Sequence, residues 1–578
     1  MTTYIESKKI QDSHELLTKY SPLLTQLFIN RDISTLREAH TFINPQYDEN
    51  YDPFLMKGIT ESVKRIKTAI DNDERITIYA DYDADGIPGS VVLASLFDAL
   101  KYTNYDIYIP HRHDEGYGIH TEALAKIKDS GTSLVITIDV GITGHAAASW
   151  CRENNVELII TDHHLPIVDN KEKQDLPDVD ILVNPKQEGC EYPDPMLCGC
   201  GVIFKLVQGF LNTHREEYTI PEGWEKWMLD MVGISTISDM VPLVNENRLF
   251  AYYGLKVIKK TKRPGLKKLM WDAGISLQHI NTEDIGFGIS PKINAASRMS
   301  HPEDALAVLR AKNDIEATTS VKHIIKLNND RKKLVAQTMK KAYKKLEGRT
   351  IGNVIVIGSQ DWKAGILGLV ASKLVEKYKK PAFVWSEEGK EIKGSCRSYN
   401  GTHLVELMSA ANSNPDGQGK TFTQFGGHAE AGGFSLQKNE IHFLEERLNT
   451  AFKELPQKET NSEEIIIDAE LSLDDITDTL YREINQLSPF GIANPKPLFI
   501  LKNVVPTYVG QFGKTKEHLE IHFENSQSAK IRAITFFKTP DNYSEIPTEN
   551  KPMNLIAHIE HSVFMGKHEL RLKIVDCI

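Results

Sequence analysis

From about residue 74 to residue 243, short apolar runs alternate with amphipathic stretches of helical period. This alternation predicts a parallel α/β sheet with crossover helices. The runs Ile76 to Tyr79, Leu134 to Ile138 and Val156 to Ile160 lead into polar, acidic segments. A fourth stretch, Met231 to Ile237, reads as another such run or, following the helical pattern of Trp224 to Met231, as the end of a helix. Between Glu303 and Glu347 there is neither Gly nor Pro, which predicts consecutive helices, the last of them long and joining two lobes. A second α/β unit then follows: a strand over 353–358, a helix over Leu367 to Tyr378, a strand over 381–385, and a glycine-rich segment containing Phe425-Gly426-Gly427-His428.

After a polar linker near Lys458 to Glu463 the period changes to that of strands. Six are predicted: Glu464 to Asp468, Leu498 to Val504, His518 to Phe523, Ile531 to Phe537, Met553 to Ile559 and Glu569 to Val575. They fit a small β-barrel, of which an oligonucleotide-binding fold is one kind, and a β-sandwich would give a similar string. The fold class expected is therefore α/β, with two α/β lobes joined by a long helix and followed by an all-β barrel. The domains expected are an N-terminal helical segment (1–70), a first α/β domain (71–315), a connecting helix (316–349), a second α/β domain (350–457) and the barrel (464–578).

Length agrees with this division, since 578 residues exceed what one hydrophobic core organises. Hydrophobic residues at 40% and charged residues at 25% are those of a globular protein. Met1 to Ile10 lacks the apolar run of a secretory leader, and no stretch is apolar enough to span a membrane, so a cytoplasmic protein without membrane partners is expected. Six cysteines are too few for a disulfide framework. Cys190, Cys198 and Cys200 cluster, but without a CxxC pair or an obvious fourth ligand they read as buried or incidental thiols rather than a zinc site.

A net charge of −11 argues against coating nucleic acid through bulk positive charge, yet a local basic groove can act regardless of the total. Candidate patches are Lys259, Lys260, Lys262 and Arg263, and then Arg331, Lys332 and Lys333. Such patches are more often simply a solvated face.

The chemistry concentrates after the apolar runs, where ligands of open α/β sheets bind. Asp81, Asp83 and Asp85 lie in Asp81-Tyr82-Asp83-Ala84-Asp85-Gly86; Asp139 follows the second run, Asp162-His163-His164 the third and Asp239 the fourth. Asp81, Asp83, Asp85, Asp139 and Asp239 with the histidine pair suit two Mn²⁺ or Mg²⁺ ions, which together activate a water and stabilise the leaving oxygen of a phosphodiester. A calcium EF-hand fits poorly, because the twelfth loop position is Val92 rather than Glu.

These segments, with Asp139-Val140-Gly141 and Ser238-Asp239, resemble the four ordered motifs of DHH phosphoesterases. Further stretches resemble the RecJ family in particular: His111-Arg112 with Glu115-Gly116-Tyr117-Gly118, Asn184-Pro185-Lys186, Gly286 through Arg298, and Trp362 through Gly368. Gly394-Ser395-Cys396-Arg397-Ser398 and Gly426 through Gly433 resemble the DHHA1 signature. Leu487 through Gly491 and Asn494 through Pro497 resemble the entrance to the RecJ oligonucleotide-binding barrel.

The resemblance implies that Asp83 and Asp85 each hold one metal ion and that Asp139 bridges both. His163 and Asp239 would complete one shell and Asp81 the other. His164 would contact the scissile phosphate or protonate the leaving oxygen, with Asp162 orienting a histidine. Substrate contacts would fall to Arg112, Tyr117, Asn294, Arg298, Ser395, Arg397, Gly427 and His428. Departures from the family pattern are Pro88, Val140, Lys292 and Ser297; Lys292 keeps charge where an Arg is usual but loses a two-pronged grip on phosphate.

The implied activity is a single-stranded-DNA-specific 5′-to-3′ exonuclease acting in repair and recombination, with a helicase and a single-strand-binding protein as partners. Tyr508, Phe512 and Phe523 are candidates for stacking on bases, although Phe523 fits a barrel core better. Two other readings remain: a phosphodiesterase for very short RNA or cyclic dinucleotides, which needs no barrel, and a replication-fork scaffold, which needs no cluster of mutually repelling carboxylates.

Overall fold

The computed structural model describes residues 3–7, 13–168, 173–389, 391–412, 420–456, 464–564 and 567–578. The predicted linker Lys458 to Glu463 lies outside them. The chain forms two compact units, one of Tyr51–Asp239 with Tyr253–Thr460, the other of Met1–Asn50, Met240–Tyr252 and Asn461–Ile578.

The larger unit opens with five strands, β1 (Arg75–Ala80), β2 (Tyr105–Tyr108), β3 (Thr132–Ile138), β4 (Glu157–Thr161) and β5 (Ile181–Val183). They form one all-parallel sheet in the order 2-1-3-4-5. Its central strands are apolar along most of their length because helices cover both faces. The strand order reverses between β1 and β3, which makes their carboxyl ends the topological switch point of the sheet. Three helices pack together beside it: α1 (Gly86–Ala99), α2 (Gly199–His214) and α3 (Leu229–Ser238). The Met231 to Ile237 stretch is thus helical and not a strand, as the pattern of Trp224 to Met231 allowed. α3 is apolar nearly all round because α1 and α2 enclose it, and this even hydrophobicity hid its helical period.

α4 (Ser290–Met299) packs against the long α5 (Asp314–Leu346), whose 33 residues begin at an Asn313 cap that accepts hydrogen bonds from the N–H groups of Ile315 and Glu316. The far half of α5 places Val335, Met339, Ala342 and Leu346, at helical spacing, in the core of a second lobe. That lobe is a five-stranded sheet of β6 (Ile355–Gly358), β7 (Ala382–Glu388), β8 (Glu391–Arg397), β9 (Gln424–Gly427) and β10 (Ala431–Gln437), in the order 9-10-8-7-6. Only β6 and β7 are parallel. Two α/β lobes joined by a long helix are therefore present, as expected.

The smaller unit carries a seven-stranded sheet in the spatial order Ala469–Glu470, Phe499–Val504, Met553–Phe564, Lys567–Cys577, Lys530–Thr535, His518–Glu524 and Tyr508–Phe512. Helices Pro22–Ile29 and Leu36–Ile43 share its core, with Phe28 and Leu27 buried against the same cluster as Phe499 and Phe523. One expectation is corrected: Glu464–Ile467 pairs in parallel with Thr3–Glu6 in a separate two-stranded ladder rather than entering the barrel sheet. Its alternating pattern specified a strand but not a partner. Tyr508–Phe512, at the sheet edge, was not predicted as a strand, because Gly510 and Gln511 interrupt its apolar pattern. Among the described residues no helix is long and apolar enough to cross a membrane.

Candidate metal centre and adjoining cleft

The backbone continues the sheet ladder one residue beyond each strand. Asp81 N–H donates to Ile138 O (3.1 Å), Asp139 N–H to Thr161 O (3.0 Å) and Asp162 N–H to Val183 O (3.0 Å). The first acidic residue of each loop is thereby fixed on one rim of the sheet, at the switch point. Asp139 adopts a φ of +63°, a left-handed conformation that a non-glycine residue takes at a cost of about 1–3 kcal/mol. The α1 entry is equally constrained: a Cβ on Gly86 would lie 2.4 Å from Asp81 O, so only glycine closes this loop.

Within the rim the ligand atoms fall into overlapping groups, each spanning less than 4.8 Å: Asp81, Asp83 and Asp139; Asp85, His163 and Asp239; and Asp139 with His163 and His164. His163 Nε2 lies 3.2 Å from Asp139 Oδ1, 3.7 Å from Asp85 Oδ2 and 3.8 Å from Asp239 Oδ2. Asp139 stands between the other two groups. Asp239 reaches the centre as the residue ending α3.

The electrostatics are those of a site that requires cations. Burial, then the charges of Asp85, Asp83, Asp81 and Asp239, drives the Asp139 carboxyl well above its usual range. Burial and Asp83 do the same to Asp81, and burial with Asp85 and Asp83 to Asp239. Asp81 Oδ1, Asp139 Oδ1 and both ring nitrogens of His163 are buried with no hydrogen-bond partner among the described residues. Unsatisfied acceptors facing one another at this spacing, oxygen-rich with imidazole, fit divalent Mn²⁺ or Mg²⁺.

Other members of the motifs hold the ligands. Asp162 Oδ1 accepts from the N–H groups of His163 (2.7 Å) and His164 (3.1 Å) and contacts His164 Nδ1 (2.8 Å), while Oδ2 accepts from Ile142 N–H (2.8 Å). Burial alone would raise the Asp162 pKa, but the His164 hydrogen bond and the nearby imidazoles bring it to about 2. Asn184 Nδ2 donates to His164 O (2.9 Å) and Lys186 Nζ to His163 O, so the Asn-Pro-Lys segment latches the histidine pair from behind.

A cavity of about 420 Å³ opens between the two lobes of the larger unit. Of the sequence-predicted substrate residues, Arg112, Tyr117, Arg298, Ser395, Arg397, Gly427 and His428 all line it. Asn294 does not; its Oδ1 accepts from Ala84 N–H (2.9 Å), bracing the acidic loop. The cavity adjoins the metal centre through Tyr82, between two ligands in sequence, and through Tyr117, whose hydroxyl lies 3.3 Å from His164 Nδ1 and 3.4 Å from Asp139 O. Arg298 donates to Gly365 O (3.2 Å), Arg397 to Cys396 O (2.8 Å) and Ser395 Oγ (3.2 Å), and Arg112 stacks on the Tyr82 ring at 4.6 Å. Among the described residues none of these arginines has a carboxylate partner. Burial, then Arg112, Arg331 and Arg397, depresses the Arg298 pKa to about 9. Cations packed together without anions form a receptor for phosphate oxygens.

Family models match most of this architecture: the DHH family N-terminal domain over residues 75–236, the DHHA1 domain over 351–457 and the RecJ OB domain over 467–576. The single-stranded-DNA-specific exonuclease RecJ of Bacillus subtilis (strain 168) is 36% identical over 538 residues, covering 91% of this chain and 65% of that protein. The chain belongs to the RecJ family of DHH phosphoesterases. It spans about 65% of the length of the Bacillus relative. A crystal structure of RecJ in complex with Mn²⁺ from Thermus thermophilus shares the fold at a TM-score of 0.81 and 23% identity, covering 100% of this chain and 79% of that one. A crystal structure of exonuclease RecJ bound to manganese is 29% identical with a TM-score of 0.59, covering 70% of this chain and 96% of that one. The C-terminal sheet is thus the OB-type barrel of the RecJ family, and the rim carries groups of acidic and histidine ligands of the kind that divalent cations such as Mn²⁺ or Mg²⁺ take.

Several parts of this RecJ-family site escaped the sequence reading. Both oxygens of Asp85 are already engaged from behind, accepting from the N–H groups of Gly199 (2.6 Å) and Cys200 (2.8 Å) at the start of α2, and Oδ1 also from Ser235 Oγ. The positive end of the α2 dipole thereby offsets part of the cluster's charge. Gly199 has no room for a side chain, since a Cβ there would sit 2.5 Å from Asp139 Cβ. Cys198 and Cys200 are buried, with thiols that burial keeps protonated, and serve the start of this helix; Cys198 Sγ accepts from Gly201 N–H. The Cys-Gly-Cys-Gly spacing was a visible signal, but only contact with Asp85 gives it meaning. Of the departures, Pro88, Val140 and Ser297 are buried, and Lys292 Nζ donates to Gly288 O. In the basic patches, Arg263 pairs with the buried Asp230 (3.1 Å) and is structural.

Proposed function

We propose that the protein is a single-stranded-DNA-specific 5′-to-3′ exonuclease that releases 5′ mononucleotides. The observation that carries this reading is the meeting of two unneutralised charge clusters: buried carboxylates at the sheet rim, and Arg112, Arg298 and Arg397 in the cavity beside them. One cluster takes up the reacting ions and the other grips the phosphates of the strand end.

Asp81, Asp83 and Asp139 would hold one ion, and Asp85, His163 and Asp239 the other, with Asp139 shared. When bound, such a pair lowers the pKa of water and neutralises charge on the phosphoryl oxygens and leaving group. The protein's own groups do the rest. Arg298, Arg397 and Ser395 orient the terminal phosphate. Gly427, on the same sheet as Ser395 and Arg397, and the adjoining His428 extend the wall formed there, and Tyr117 stands between the cavity and the acidic rim. Asp162 fixes His164 through Nδ1, leaving Nε2 to contact the scissile phosphate and deliver a proton to the leaving oxygen. A cavity of this size, walled by two lobes, admits one strand, and strand selectivity is then steric.

The intact ligand set speaks against a scaffold that has lost catalysis. By their names, RecJ relatives are single-stranded-DNA-specific exonucleases, and a role in DNA repair and recombination in the cytoplasm, with a helicase and a single-strand-binding protein supplying the strand, follows by analogy.

The test is digestion of 5′-labelled and 3′-labelled single-stranded DNA with Mn²⁺, beside Asp139→Ala and a duplex control. Early loss of the 5′ label as mononucleotide, gradual shortening of the 3′-labelled strand and an inert variant are expected. Long single strands left intact by the wild type would overturn the reading.

A further inference from the structure

Outside the cavity Phe287 is, with Trp271 and Phe537, among the most exposed aromatic residues described. Phe287 is 83% exposed in the π-helical turn Asp284–Ile289, although an aromatic ring left in water forgoes the stabilisation of burial. Single π-turns concentrate at functional sites. The turn is held from below: Ile285 and Ile289 are buried, and Ser290 Oγ donates to Ile285 O (2.8 Å) and contacts Ser238 Oγ (2.5 Å) at the end of α3. A Cβ on Gly286 would meet nothing within 4 Å, so space is open beside the ring. Phe287 is therefore an exposed ring on a fixed base, in a turn anchored to the helix that delivers Asp239.

The same turn borders cations. Lys292 Nζ donates to Gly288 O, and α4, which carries Lys292 and Arg298, packs along α5, which carries Arg331 and Lys332. Lys292, Arg331 and Lys332 have no ion pair among the described residues. Arg331 Nη2 donates to Asn328 Oδ1 (2.9 Å), while its Nε is buried without a partner. Arg331 lies near enough to Arg298 to depress its pKa, and Arg331 and Lys332 near enough to lower that of Lys292. Cations without an ion pair among the described residues thus extend from the cavity arginines to Arg331, Lys292 and Lys332, and Phe287 immediately precedes Gly288, whose carbonyl Lys292 holds. Spaced positive charge beside an exposed ring matches single-stranded nucleic acid, whose bases stack on aromatic faces while its phosphates follow the cations.

We propose that Phe287, Lys292, Arg331 and Lys332 form a second contact site for the strand, outside the cavity, in which Phe287 stacks on a base downstream of the bond being cut. The site rests on the exonuclease reading but is separable from it. Nothing in the hydrolysis of the terminal bond needs it, so its effect should grow with substrate length.

The experiment compares Phe287→Ala, Phe287→Trp and Lys332→Glu with the wild type on a dinucleotide and on a long oligonucleotide. Phe287→Ala should raise KM for the long strand about 10-fold, with kcat and dinucleotide hydrolysis unchanged, and Phe287→Trp should restore it. An abasic site at one position of the long strand should cost the wild type as much as the substitution does, and cost Phe287→Ala nothing more. Lys332→Glu should flatten the dependence of log KM on log salt by about 0.7. Equal effects of Phe287→Ala on both substrates, or none on the long one, would overturn the site while leaving the exonuclease intact. A wild type inert on both substrates overturns the exonuclease reading and this site with it.

Discussion

The rim of the first sheet and the floor of the adjoining cavity are opposite in sign and alike in construction. At the rim, Asp81, Asp139 and Asp239 are crowded until their carboxyls resist ionisation. In the cavity, burial first and neighbouring arginines second lower the pKa values of Arg298 and Arg397. The two sets lie side by side, with Arg112 acting on Asp81 and Asp83, yet among the described residues no ion pair joins them, and each is braced by other hydrogen bonds. Asp85 leans on the α2 amides, and Arg298 and Arg397 lean on backbone carbonyls. Charge left unpaired at the expense of stability is charge reserved for a ligand: cations in one place, a phosphate chain in the other.

The comparison can be broken most severely at Asp139, the residue proposed to serve both ions. Asp139→Ala should lower kcat about 10³-fold while the protein still binds single-stranded DNA, measured by anisotropy beside single-turnover hydrolysis. If the rim is strained only for want of cations, Mn²⁺ at a hundredfold excess over its Kd should add about 2.7 kcal/mol of stability to the wild type. Thermal unfolding with Mn²⁺ and with EDTA measures this, and Asp139→Ala should lose most of the difference while unfolding at a higher temperature than the wild type in EDTA. On the cavity side, Arg397→Lys keeps the charge and loses the planar fork, so KM should rise about 10-fold with Mn²⁺ affinity unchanged. The mildest probe is Gly368→Ala. Its methyl would lie 2.9 Å from Arg397 Nη2 and 3.1 Å from Ser395 Oγ, and activity should drop about 3-fold with no loss of metal binding. A Gly368→Ala protein with altered metal affinity would show that the two regions are not independent.

Much of the rim was legible because it is local. An apolar run of strand length delivers the residue after it to the carboxyl edge of a parallel sheet, so Asp81, Asp139 and Asp162 could be placed on one rim before any coordinates. Asp239 was harder, since a helix wrapped by other helices loses its polar face, and Met231 to Ile237 carried no period to separate helix from strand. Asn294 illustrates the limit of motif reading: it lies in a stretch that resembles a substrate-contacting motif, yet its oxygen is spent on the Ala84 amide.

By itself the sequence determined the alternation of elements, the long α5, the strand-rich C-terminal part and the acidic residues that end each apolar run, because all of these follow from periodicities within a few residues of chain. Only the tertiary structure decided which carboxylates come together at the rim, that the α2 amides brace Asp85, that Arg112, Arg298 and Arg397 meet in one cavity, and that Glu464–Ile467 pairs with Thr3–Glu6. Partner choice among segments hundreds of residues apart is set by packing and by the cancellation, or deliberate non-cancellation, of charge, and a local pattern specifies an edge or a face without naming what will lie against it.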